Sequence, residues 1–130
     1  YETRVYLMFM YFSIILIIYK KKQIKFPQKD YDSFFYYIEN NLRELGFGDI
    51  AVNKKMKELN KIFYDILLKI NSGDDKLSLN RNLIIRYFTE FKDKNHQEYS
   101  NFDQKFSNFY HFCFDKDPNF MIKEAINFKI

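Results

Sequence analysis

From Val5 to Tyr19 the chain carries fifteen consecutive residues that are apolar except for Ser13, and Lys20, Lys21 and Lys22 close the run. Such a stretch must be hidden from water, in a membrane or in a protein core. At ~1.5 Å per residue a helix of this length spans roughly 22 Å, short of the ~30 Å hydrocarbon core of a bilayer. Glu2 and Arg4 hold charge at its other end. No small-residue cleavage site follows, so a removable signal peptide is not indicated. The run is expected to be the central helix of the domain, buried on all sides. The competing reading is membrane contact, as in a membrane-associated or single-pass protein that uses Val5–Tyr19 as its membrane segment.

A core needs partners for this helix, and composition says of what kind. Only 3 Gly and 2 Pro occur among 130 residues, about a third of average usage. Barrels and sandwiches need more tight turns than that. Hydrophobic residues reach 47%, too many for a disordered chain. The length suits one domain. Helical periodicity then recurs along the chain. Phe34, Phe35, Ile38, Leu42 and Leu45 share a face of a helix expected over 30–45. Asp30 or Asp32 can cap its start, and Gly46 stands where a helix stop prefers glycine. Val52, Met56, Leu59, Phe63, Ile66 and Ile70 alternate steps of four and three along a helix expected over 51–71, the pattern of a packed seam. Its outer face holds Lys54, Lys55, Lys57 and Lys61. Ser72-Gly73-Asp74-Asp75 ends it and offers caps to the next. Further helices are expected over 76–92, with Leu79, Leu83, Tyr87 and Phe91 on one face, and over 96–114, with Tyr99, Phe102, Phe106, Phe109 and Cys113 in phase. Asp117-Pro118 breaks the latter, and a short helix over 120–126 is expected to follow. The expectation is all-α, a single compact bundle of about five to six helices over residues 1–130. The chain starts at Tyr1 rather than Met, so an upstream N-terminal segment is expected to be missing.

The sequence offers little for catalysis. Three glycines make no phosphate loop, and one Cys makes neither a disulfide framework nor a multi-Cys zinc site. His96 and His111 lack close Cys partners, so no metal is expected. His111 and Cys113 stand two apart, on different sides of a helix, and a buried thiol is the commoner state of a lone Cys. The charged feature is Lys20, Lys21, Lys22, Lys25 and Lys29, five cations with no acid between them in a chain of net charge +4. They form either a solvated connector or a contact with RNA or anionic lipid. No module for a specific nucleic-acid sequence is present.

One segment is distinctive. Asn41-Leu42-Arg43-Glu44-Leu45-Gly46-Phe47-Gly48-Asp49-Ile50-Ala51-Val52-Asn53-Lys54-Lys55-Met56-Lys57, followed by Phe63-Tyr64, resembles the signature of the ubiquinol–cytochrome c chaperone family. That pattern runs approximately N-L-R-E-M-G-V-G-D-L-S-V-x-K-K-[VM]-K, then F-Y. Arg81-Asn82-Leu83 resembles the family's next helix, and Tyr1-Glu2-Thr3-Arg4-Val5 its F-E-G-R-F entry. Tyr11 stands where the family's first helix often carries His, which puts any role of that imidazole in doubt here. After about Lys92 the likeness is only helical and apolar. The resemblance implies a non-enzymatic assembly chaperone of the cytochrome bc1 complex, with no cofactor of its own. Mitochondrial relatives act near the ribosomal exit with a small partner and hold newly made cytochrome b until it is hemylated and assembled. Bacterial members are expected to act at the cytoplasmic face of the inner membrane. The expected partners are cytochrome b or bc1 assembly proteins, with the ribosome or membrane surface met through Lys20–Lys29. The alternative location is the mitochondrial matrix or inner membrane.

The same residues have a physical reading. Gly46 and Gly48 let the chain reverse within a few residues. Asp49 can satisfy free amides at a helix start, worth roughly 0.5–2 kcal/mol. Arg43 can pair with Glu39 or Asp49 and fix the corner, while Val52 and Met56 point inward. Lys54, Lys55 and Lys57 answer no folding need. With Arg43 they are the candidate partner-binding residues; a solvated face is the bland reading. A chaperone should show an apolar groove or exposed aromatic patch, a membrane protein an exposed first helix, and an enzyme a closed polar pocket.

Overall fold

The run that dominates the sequence forms α1 (Glu2–Lys21). No residue from Val5 to Tyr19 is exposed, and Phe9, Ile14 and Ile18 are fully buried. The computed structural model describes residues 2–72, 77–78, 81–88 and 96–117. Around α1 lie α2 (Gln28–Glu44), α3 (Asp49–Lys69), α4 (Arg81–Tyr87) and α5 (His96–Phe114). The domain is all-α, with five helices among the described residues. The helix expected over 120–126 and the positions of Leu79 and Phe91 lie outside them.

Helix α1 packs between α3 and α5, and α2 leans on α3. The contacts are largely aromatic. Phe9 meets Phe63 of α3 with ring centroids 5.4 Å apart, and Phe12 stacks on Phe34 of α2 at 4.1 Å. On the other side, Tyr11 lies 4.8 Å from both Phe106 and Phe109 of α5. Tyr6 reaches Tyr87 of α4 at 5.4 Å. Offset and edge-on ring pairs add about 0.5–1.5 kcal/mol each beyond area burial. This is why a chain so rich in Phe and Tyr can close its core with few small residues. Among the described residues, no helix is long and apolar enough to cross a membrane. Its burial makes the first helix the core of the domain rather than an exposed segment.

Three local expectations are corrected. Helix α2 begins at Gln28 behind an extended Pro27, with no side-chain cap. Asp32 is engaged by Gln28 Nε2 at 2.9 Å, and Asp30 only places its charge in the first turn. Leu45, expected on the buried face, is exposed because the helix has ended at Glu44. Residues expected to open the fourth helix instead pair as strands. Here β1 (Asn71–Ser72) runs antiparallel to β2 (Leu77–Ser78), Asn71 facing Ser78 and Ser72 facing Leu77. Helix α4 is described from Arg81.

Candidate functional site

The family-like segment forms the α2–α3 corner and the first half of α3. Helix α2 closes with a pair of backbone bonds, Gly46 N–H to Arg43 C=O at 3.0 Å and Phe47 N–H to Leu42 C=O at 3.2 Å. That pattern needs a left-handed residue at the first position beyond the helix, and Gly46 has φ +99°. Gly48, in extended conformation, caps α3 through its own backbone, its C=O accepting from Val52 N–H at 2.9 Å. The cap expected of Asp49 is therefore corrected. Asp49 is the first helical residue, and its carboxylate turns back onto the Arg43 guanidinium. Glu39 joins Arg43 at 3.6 Å. Arg43 is thus drawn into the corner by two carboxylates while staying partly open to solvent.

Helix α3 has two faces. Val52, Leu59, Phe63, Ile66 and Ile70 are buried, and Met56 is half-buried against the same core. Of the candidate lysines, Lys54 and Lys57 are exposed on the opposite side with Lys61. Lys55 is half-buried, faces another way, and lies 3.9 Å from Glu58. The structure therefore divides the expected basic patch: Lys54 and Lys57 stand together, and Lys55 stands apart from them. Sequence reasoning missed the exposed apolar residues on this face, Ile50, Tyr64 and Leu68. Their spacing was the available signal.

The far edge of α3 is tied to α4. Asp65 takes Lys69 at 2.7 Å, Arg86 at 3.0 Å and the Tyr87 hydroxyl. The Lys69 and Tyr87 hydrogen bonds hold the Asp65 carboxyl down at about 2. Burial, with Asp65 alongside, pushes Tyr87 up to about 12.

On the other side of α2 an apolar groove opens against α1. It encloses about 830 Å³ and is lined by Met8, Phe12, Ile15, Phe26, Phe34 and Tyr37, with Asp30 and Ser33 as its polar groups. A second hollow of about 340 Å³ is bounded by Arg4, Val5, Ile38, Asn41, Glu44 and Leu45. Met8 lines both. Sequence periodicity put Phe34 in the core but gave no hint of this opening.

The Lys20–Lys29 segment is only partly free. Lys22 donates to the Lys116 carbonyl at 2.9 Å, beyond the end of α5, and sits 5.0 Å from the Phe114 ring centroid. Lys21 lies over Tyr110 at 5.5 Å. Cations at a helix C-terminus suit its negative end. Lys20, Lys25 and Lys29 remain exposed. Cys113 is fully buried, and burial pushes its thiol up to about 11, so no thiolate is held ready. Among the described residues, no three His, Cys, Asp or Glu side chains gather as a metal site.

No curated protein and no solved structure matches the chain. A family model does, that of the ubiquinol–cytochrome C chaperone, over residues 4–98. The match runs from the entry of α1 through the corner and α4 to the start of α5. It takes in both walls of the groove and the whole of α3, and it covers well over half the chain. On that extent the chain belongs to the ubiquinol–cytochrome C chaperone family.

Proposed function

We propose that this domain is a non-enzymatic assembly chaperone of the cytochrome bc1 complex that holds an apolar segment of newly made cytochrome b, or of its assembly partner, in the α1–α2 groove. The observation that carries the reading is the groove itself, an open apolar trough of about 830 Å³ inside the family-matched region. An open trough lined by Met and aromatic side chains suits an apolar segment: Met adapts to varied shapes, and flat rings give large contact area. Its polar lining groups are Asp30 and Ser33, both exposed. The site of action in this proposal is the cytoplasmic face of a bacterial inner membrane, the mitochondrial matrix being the alternative.

The test is co-purification in mild detergent from cells assembling the bc1 complex, comparing wild type with Ser33→Glu. Ser33 is exposed and lines the groove, so a surface change there should cost within ~0.5 kcal/mol of stability. The expected result is recovery of cytochrome b or a bc1 assembly protein with wild type and a marked loss with the variant. Reproducible absence of both from the wild-type eluate would refute the reading.

A further inference from the structure

The outer face of α3 has an organisation that holding a client in the groove does not require. Ile50, Lys54, Lys57, Lys61, Tyr64 and Leu68 succeed one another at steps of four, three, four, three and four. At 3.6 residues per turn these positions form one straight stripe, opposite the buried stripe of Val52, Leu59, Phe63 and Ile66. Every member of the outer stripe is exposed, Ile50 at 87%, Tyr64 at 53% and Leu68 at 81%. The stripe is therefore a heptad seam with apolar ends and three lysines in the middle, about 27 Å long at ~1.5 Å per residue. No acid lies within it. The nearest are Glu58, which pairs with Lys55, and Asp65, which is held by Lys69, Arg86 and Tyr87.

We infer that this seam docks one helix of a partner protein, a helix with carboxylates at its centre and apolar residues at both ends. Three considerations select that occupant. A 4-3 repeat of exposed side chains along five turns presents the knobs a second helix packs against. Three lysines without an acid ask for carboxylates opposite. A second copy of this chain is disfavoured, because two-fold antiparallel pairing about the middle of the seam would set Lys57 against Lys61 and crowd the cations together. A membrane surface fits less well, since surface-bound helices carry a continuous apolar stripe, and here the apolar residues are parted by charge. Lys55, about 100° round the helix from Lys54, is outside the contact. The inference does not depend on the groove.

The experiment titrates the full chain against two labelled 21-residue helical peptides. One carries Glu at three central seam positions and Leu at the ends; the other carries Lys in place of Glu. Vesicles of phosphatidylglycerol serve as the third probe, and circular dichroism checks each variant. The acid-centred peptide should bind, more weakly as salt rises. Lys54→Glu with Lys57→Glu and Lys61→Glu should weaken it at least tenfold and confer binding of the Lys-centred peptide. Lys55→Glu should change affinity less than twofold. Ile50→Ser with Leu68→Ser should weaken binding several-fold without altering its salt dependence. Absence of binding by wild type, binding indifferent to the triple reversal, or lysine-dependent capture of vesicles in place of the peptide would each overturn the inference. The groove variant Ser33→Glu should leave peptide binding unchanged, so loss of the groove reading would not touch this one.

Discussion

Among the described residues, Gly46 and Gln23 take the left-handed conformation, and they do the same work with different chemistry. Gly46 ends α2, and Gln23 (φ +58°) ends α1, where Gln23 N–H bonds Lys20 C=O at 3.0 Å and Ile24 N–H bonds Tyr19 C=O at 2.9 Å. Left-handed backbone is nearly free for glycine and strained for a residue with a Cβ. Gln23→Gly should therefore stabilise the domain by up to about 1 kcal/mol. Gly46→Val should destabilise it by about 1 kcal/mol or more, although nothing lies within 4 Å of the missing Cβ. Urea unfolding of the two variants checks both signs. Gly46 was legible in the sequence because glycine after an apolar-periodic run has one common use. Gln23 was not, because no residue type marks a helix end that tolerates strain. The same limit applied to caps. Asp30, Asp32 and Asp49 are good cap formers by type, yet competition from Gln28 and Arg43 redirects two of them.

At the scale of elements, the periodic helices were readable and the joints between them were not. Helix α5 occupies the expected residues, 96–114, and the seam of α3 holds the expected side chains, Met56 only half-buried among them. Periodicity reports which face is hidden, and these faces are hidden by a single continuous core. The β1–β2 ladder escaped because two residues per strand carry no period. The division of the lysines escaped because adjacency in sequence, Lys54 beside Lys55, becomes separation round a helix. The α3–α4 joint yields a pH prediction. Asp65 titrates at about 2 in the folded protein against an ordinary value of 3.8. A depressed carboxyl stabilises the fold above its unfolded value, and that contribution disappears as pH falls from about 4 to about 2. With the site partly open to solvent, about 1 kcal/mol is at stake. Asp65→Asn should be less stable than wild type at neutral pH, and the difference should close across that interval in thermal melts recorded stepwise in pH.

For the whole molecule, the fold is a set of helices gathered on one apolar rod. Phe9 touches rings of α2 and α3 at once, with centroids 6.2 Å from Phe34, 6.1 Å from Phe35 and 5.4 Å from Phe63. Phe9→Ala should cost about 3–5 kcal/mol, a large part of the ~5–15 kcal/mol typical of a domain, and denaturant titration measures it. That rod was the most legible feature of the sequence, since fifteen apolar residues must be covered by something. The groove was the least legible, because it is a gap between two helices whose apolar faces look alike whether they meet or stand apart. In this account one side of the molecule receives an apolar client, while the outer seam of α3 meets a helical partner. The most direct measurement is site-specific photo-crosslinking during cytochrome b synthesis. It would use a benzoylphenylalanine probe at Tyr37, which lines the groove, and another at Lys105, exposed on α5. The account predicts an adduct containing cytochrome b or a bc1 assembly protein from Tyr37 and none from Lys105. No adduct from Tyr37 in a properly folded chain, or equal yields from the two positions, would contradict it.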